Sequence, residues 1–165
     1  YLYLFDMELL INTGIVLVTF IVTEFSAWAN HKYLMHGVMW YFHADHHKKD
    51  HKSWFERNDL FFILYAVPSW LLIMFGMKNQ YAWYTWVGFG ILLYGLAYFF
   101  VHDIIIHQRF KLFTKSKNAY VLALRRAHKM HHKNIGKEGG ESFGMLIIKR
   151  KYIQEALKQS KKHYA

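Results

Sequence analysis

Residues 81–110 read YAWYTWVGFGILLYGLAYFFVHDIIIHQRF. Tyr81 to Val101 is a nearly unbroken apolar run; as a helix rising ~1.5 Å per residue it reaches ~31 Å, enough to cross a hydrocarbon core of ~30 Å. The run ends on two histidines, His102 and His107. An earlier stretch has the same plan: Leu9 to Ala29 is apolar apart from Asn12, Thr13, Thr19, Thr23, Glu24 and Ser26, and it leads into His31 and His36. Beyond each H-x4-H pair lies a second cluster, His43, His46 and His47 in HADHH and His128, His131 and His132 in HKMHH. The order is therefore H-x4-H, H-x2-H-H, repeated once. A tag or metal-buffering tract would be contiguous; these clusters are spaced, duplicated and set at the edges of apolar segments. His51 and His163 belong to no cluster and are given no role.

A third apolar stretch, Leu60 to Phe75, completes a crossing if it extends back toward Asn58; Pro68 inside it is expected to kink it. Gly76–Gln80 is read as the tight connection to the next span. Asp6 and Glu8 stand where a secretory leader would be basic, and the run after them is too long for one, so 9–29 is read as a span and not a cleaved leader. Of the 21 basic residues, five lie between His31 and Asp59 and fifteen from Arg109 onward. The positive-inside rule then puts both segments, and with them all four histidine clusters, in the cytoplasm. Tyr81, Trp83, Tyr84 and Trp86 read as an aromatic belt at the opposite interface. The expected fold is all-α: an integral membrane helical bundle of three or four transmembrane helices, forming one domain over 1–165, with a histidine-rich di-metal site on the cytoplasmic side. A fourth span would have to come from ahead of the chain or from Ile104–Leu124, which Arg109, Lys111, Lys115 and Lys117 interrupt.

Imidazole suits iron, zinc, copper or nickel. One ion cannot use ten imidazoles; two can, at about five each, leaving a position open on each. In the H-x2-H-H clusters, positions i, i+3 and i+4 share one helix face, so Tyr120 to His132 is predicted to be an amphipathic helix that converges His128, His131 and His132. The H-x4-H pairs are less tidy, because five residues leave an α-helix about 140° out of alignment. Either the helix is locally unwound or bulged there, or the two histidines serve different metals. Ionisable groups in a span are expensive and usually functional; Glu24, two helical turns before His31, is a candidate to hydrogen-bond a ligand histidine, the alternative being a helix-packing partner for Asn, Thr or Lys. Asp103, beside His102, is a second such candidate, or faces solvent at the membrane edge. There is no cysteine for a thiolate site or an iron–sulfur cluster and no flavin or nicotinamide fingerprint. Three apolar spans argue against nucleic acid as the partner of the basic surface, which instead suits membrane lipid headgroups or an acidic protein. A metal transporter would hold its ligands near the bilayer midplane; here they collect at one end.

The runs HKYLMHG (31–37), FERNDL (55–60), YFFVHDIIIHQRF (98–110), RRAHKMHH (125–132) and GKEGGESFG (136–144), in this order, resemble the bacterial β-carotene hydroxylases. These stand within the membrane di-iron superfamily of fatty acid hydroxylases and sterol desaturases. The resemblance covers about Glu24 to Phe143. It implies two iron ions on the ten clustered histidines, with zinc able to substitute but without redox chemistry. It also implies O2, a ferredoxin-like electron donor docking on the basic face, and stepwise 3-hydroxylation of β-carotene through β-cryptoxanthin to zeaxanthin in a bacterial inner membrane. Fatty-acid or sterol hydroxylation or desaturation is the rival chemistry for the same metal site. The chain departs from the pattern at HKKDHKSW (47–54), with an added histidine and an aromatic, and in the lysine-rich tail after Ile148, which carries no recognisable motif.

Overall fold

A computed structural model describes residues 2–48 and 53–164, and every regular element among them is helical. His51 lies outside the described residues. Helix α1, Leu2–Ala29, runs directly into a π-helical turn, Asn30–Val38, and then α2, Trp40–His47. A 3₁₀ turn, Arg57–Phe62, opens α3, Ile63–Lys78; α4, Tyr84–Tyr98, continues into a second π turn, Phe99–Ile106; α5 spans Ala119–Lys133 and α6 Arg150–Tyr164. Three of these stretches are long and apolar enough to cross a membrane: Asp6–Val38, Arg57–Lys78 and Tyr84–Ile106.

The chain sorts into two compact units. The first, Tyr1–Ser26 with Asp59–Ala97, holds the bodies of the spans. Its outer surface is apolar, with Leu10, Val18, Val22, Trp70 and Leu96 exposed, as expected of helices solvated by lipid. Where lipid is as apolar as the side chains, helices associate by close packing of small residues and by polar contacts between them. A Cβ on Gly88 would stand 2.9 Å from the Ser69 carbonyl oxygen, and one on Gly90 2.8 Å from that of Val16. At the first of these contacts the Ser69 hydroxyl donates to the Gly88 carbonyl at 2.8 Å. Glu24 is buried in this unit and accepts a hydrogen bond from the Tyr94 hydroxyl at 2.7 Å.

One local expectation changes. Gly76 is not in the connection but inside α3, where a Cβ would meet the Thr85 backbone at 3.0 Å. The reversal falls later, on the left-handed residues Gln80 and Tyr81. Pro68 sits within α3, which runs on from Ile63 to Lys78.

The second unit, Ala27–Asn58 with Tyr98–Ala165, carries every clustered histidine. Its apolar core is the α5–α6 seam, built on Ala123, Ala127, Tyr152 and Ala156 with Leu122, Met130, Ile148 and Ile153 against them. Three alanines let the helices approach closely. The Asn118 side chain caps α5, accepting from the backbone N–H groups of Tyr120 and Val121. The motif-free tail thus supplies α6, and an ion pair of Arg126 with Glu155 ties it to α5.

Candidate metal centre

The π turns resolve the H-x4-H spacing. In a π-helix the hydrogen bond runs from i to i+5, and here the His107 N–H donates to the His102 carbonyl at 2.8 Å and the Met39 N–H to that of Leu34 at 2.9 Å. Residues five apart that an α-helix would splay are brought onto one side. Of the two alternatives open from sequence, the helix is bulged.

Two groups of imidazoles result, one of His31, His36, His43, His47 and His131, the other of His46, His107, His128 and His132. Within each, one ring nitrogen per residue lies within 4.8 Å of all the others. His102 stands beside the second group, its ring 4.4 Å from that of His107 and 5.0 Å from that of His128. Its Nδ1 is 3.3 Å from Asp103 Oδ2 and its face stacks on Tyr98. The expected division of about five each is thus five and four, with His102 alongside.

The H-x2-H-H helices share their histidines crosswise. From α2, His43 and His47 join the first group and His46 the second; from α5, His128 and His132 join the second and His131 the first. Helix geometry explains this: i and i+4 lie about 40° apart, while i+3 falls about 60° to the other side of i. The three do not fall in one group, as the shared face suggested, but straddle the two.

The tautomers follow from the acceptors. Nδ1 of His31, His36, His47 and His131 lies 2.9–3.0 Å from the carbonyl oxygens of Phe143, Lys137, Asn134 and Glu141 respectively. A carbonyl only accepts, so each Nδ1 carries the proton and, in a neutral ring, Nε2 is a bare lone pair. The Nε2 atoms then face one another: His31 and His47 each stand 3.1 Å from His43, and His107 and His132 each 2.8 Å from His128. Bare lone pairs at that distance repel unless a cation lies between them. Nitrogens each ~2.1 Å from one ion and ~90–110° apart are ~3.0–3.4 Å from each other. In the first group the 3.1 Å distances, the tautomers and the Nδ1–H partners fit metal-bound histidine, while the 2.8 Å distances of the second group are slightly tighter than that geometry.

The rings are held in the ligand-competent form. Burial first, and then neighbouring histidines, push His131 from the ordinary 6.5 down to about 3 and His47 to about 4. Burial takes His43 to about 2 against the opposing hydrogen bond it donates to Asn58. His46 and His128 are also driven well below the usual range, chiefly by burial. Phe143 packs edge-on against His31, His36 and His131, and Trp40 lies tilted against His36 and His47, so aromatic rings wall the first group.

Residues 16–149 match the sequence model of the fatty acid hydroxylase family, a span that takes in all ten clustered histidines and stops just before α6. The chain belongs to the fatty acid hydroxylase family. Among its relatives within that family are proteins named β-carotene hydroxylase. That of Pantoea ananas is 44% identical over 135 residues, covering 82% of this chain and 76% of its own length. That of Pseudescherichia vulneris is 37% identical over 142 residues, 86% and 80%. A chloroplastic β-carotene hydroxylase 1 of Capsicum annuum is 32% identical over 148 residues, 82% of this chain but 46% of that protein. No solved structure matches.

In this hydroxylase-family chain, two motifs quoted from sequence acquire physical roles that histidine spacing could not show. In FERNDL, the Arg57 N–H donates to Asp45 Oδ2 at 2.6 Å, pinning the segment against α2. Glu56 Oε2 on one side then accepts from His46 Nδ1 at 2.6 Å, and Asn58 Oδ1 on the other from His43 Nδ1 at 2.6 Å, one residue for each group. Arg109 pairs with Glu56 at 3.3 Å and with Asp103 at 3.1 Å, joining the two carboxylates beside the second group. GKEGGESFG acts through its backbone, its carbonyls at 137, 141 and 143 orienting three rings of the first group. The Glu141 side chain is gripped from α6 and the segment before it: Tyr152 donates at 2.6 Å, with Lys149 and Lys151 beside it. These bonds hold its carboxyl down to about 2.

Proposed function

We propose that this chain is a carotenoid β-ring 3-hydroxylase, converting β-carotene through β-cryptoxanthin to zeaxanthin with two irons, O2 and a ferredoxin-like electron donor. The observation that carries the metal chemistry is the pair of adjacent all-imidazole groups whose Nε2 atoms face one another. The substrate class comes from the named relatives. When bound, a pair of irons supplies the one-electron redox chemistry that hydroxylation of an unactivated ring C–H requires; zinc would fill the same nitrogens without it.

The chain's residues do the rest. Nδ1–H donors fixed on carbonyls, Glu56 and Asn58 aim six of the ten clustered histidines, His31, His36, His43, His46, His47 and His131, and set their tautomers. His43, His46 and His131 are 2% exposed or less, which keeps bulk water from the ligand atoms. Arg109 offsets the charge of Glu56 and Asp103, and Asp103 orients His102. Glu24 serves as a polar anchor near the end of the first span. The exposed apolar spans suit a long polyene, and Phe143, Tyr98, Phe99 and Trp54 are suited to wall its path. The whole chain works as one domain in a bacterial inner membrane, with the site at the cytoplasmic edge where the basic segments gather.

Expression in a β-carotene-producing host tests this: β-cryptoxanthin and then zeaxanthin should accumulate, with both hydroxyls labelled from oxygen-18 gas and not from labelled water. Unchanged carotenoids together with newly hydroxylated or desaturated fatty acids would assign the chain to lipid chemistry instead.

A further inference from the structure

No Asp or Glu occurs between Asp103 and Glu138, and this stretch opens with QRFKLFTKSK, residues 108–117, directly after the third span. Apolar and basic residues alternate in it. Phe110, Leu112 and Phe113 are exposed large apolar side chains, and Lys111, Lys115 and Lys117 are exposed beside them. In a water-facing loop three exposed apolar residues in four positions would be a liability.

The loop does not float. It folds back on the end of the span: Phe110 packs on Phe99 at 6.1 Å and Phe113 on Phe100 at 5.9 Å, both partners themselves exposed on the span's last turns. Arg125 fastens it from α5, donating to the carbonyls of Ile105 at 2.8 Å, Phe113 at 3.0 Å and Thr114 at 3.4 Å. The left-handed backbone at Phe113 is held by these contacts. The four phenylalanines form a girdle at the end of the third candidate span, and aromatic rings favour the edge of a bilayer.

Following Phe113 in the chain is a cleft of about 220 Å³ lined by Thr114, Lys115, Ser116 and Lys117 with Leu122, Gln159 and Ser160. Among the described residues its lining comprises two lysines, three hydroxyl side chains and an amide, and no carboxylate. This is the donor set that takes a phosphodiester, with an apolar side that takes the first methylenes of an acyl chain.

We propose that this elbow is a binding site for one anionic glycerophospholipid, its phosphate on Lys115 and Lys117 and its acyl chains along the phenylalanine girdle. The site stands independently of the reaction assigned above. It orients the second unit on the membrane through α5, the helix that also carries His128, His131 and His132.

The test uses the metal-loaded full chain in nonionic detergent, titrated with short-chain phosphatidylglycerol and followed by native mass spectrometry. Wild type should take up a single saturable phosphatidylglycerol and no comparable phosphatidylcholine. Lys115→Gln with Lys117→Gln should weaken it ~30-fold, at ~5-fold for each lysine removed from an anionic surface. The charge-matched pair Lys129→Gln with Lys133→Gln, elsewhere on α5, should leave it unchanged, and metal content should stay full in both. Equal loss in the two double variants would make the attraction diffuse and overturn the site. So would an unaltered affinity in the first pair, equal binding of phosphatidylcholine, or displacement by equimolar inorganic phosphate, which would mark a free-anion site.

Discussion

Glu56→Gln isolates the electrostatic part of the histidine support. In the wild type the Glu56 carboxylate accepts from His46 Nδ1 at 2.6 Å, with the two side chains 8% and 2% exposed, so solvent does little to weaken the bond. Glutamine keeps the shape and removes the charge. Hydrogen bonds to charged groups contribute ~1.5–3 kcal/mol, and each ~1.4 kcal/mol is tenfold, so metal affinity at the second group should fall ~10–150-fold. Asn58→Ala removes a neutral acceptor from the equally buried His43; at ~0.5–1.5 kcal/mol the first group should weaken only ~2–12-fold. The assay is anaerobic titration of metal-free protein with ferrous iron against a chelator of known affinity, resolving two sites. A double variant assigns the effect: in a His107→Ala background, where the second group is already broken, Glu56→Gln should add almost nothing. If it adds its full cost there, or costs less than Asn58→Ala, then Glu56 does not act through His46 and the account of FERNDL is wrong.

Acid should destabilise the metal-free protein: His43, His131 and His47 are held at about 2, 3 and 4 when folded against 6.5 when unfolded. The unfolded chain therefore binds more protons between pH ~6.5 and ~4, and stability falls on acidification by ~1.4 kcal/mol per pH unit for each ring; melts from pH 7.5 to 5 check this, and a midpoint that is flat or rises on acidification would contradict it. Gly88→Ala should loosen the α3–α4 contact at the Ser69 carbonyl by ~1–3 kcal/mol, whereas Gly14→Ala, with nothing within 4 Å of its new Cβ, should not; unfolding in mixed micelles compares them. Gly139→Ala forces a Cβ onto a backbone at φ 80° and to 2.9 Å from Asn134 Nδ2. It should cost ~1–2 kcal/mol and weaken iron binding at the first group without touching a ligand, as read by the same titration.

The spans, the helical class and the pairing of clusters were legible because each rests on side-chain identity at a fixed period. The division of ligands between the two groups was not. His131 and His132 are neighbours of the same type, and only the angular step between i+3 and i+4, taken together with where α2 stands, separates them. The π turns left a trace as a misfit, an H-x4-H that no α-helix aligns, but a misfit alone does not choose between a bulge and two destinations. Carbonyl acceptors at 134, 137, 141 and 143 were invisible, since any residue supplies the same oxygen. Glu56 and Asn58 were present only as letters in a motif; their task depends on Asp45 holding the Arg57 N–H between them. Lys151 and Tyr152 looked like part of a plain basic tail because their work is to steady Glu141, ten and eleven residues back in the chain, and not to touch a ligand.

The crosswise sharing on α2 and α5 has a mechanical consequence. His46 and His47 are consecutive, as are His131 and His132, yet each pair is divided between the two groups. A single peptide unit therefore bridges the groups at two places, like the paired rungs of a ladder whose rails are the two helices. Covalent geometry, not packing, then sets the gauge between whatever ions the groups hold. Breathing of the loops or sliding of the spans can tilt the ladder, but stretching it would require breaking helical hydrogen bonds in α2 and α5 together.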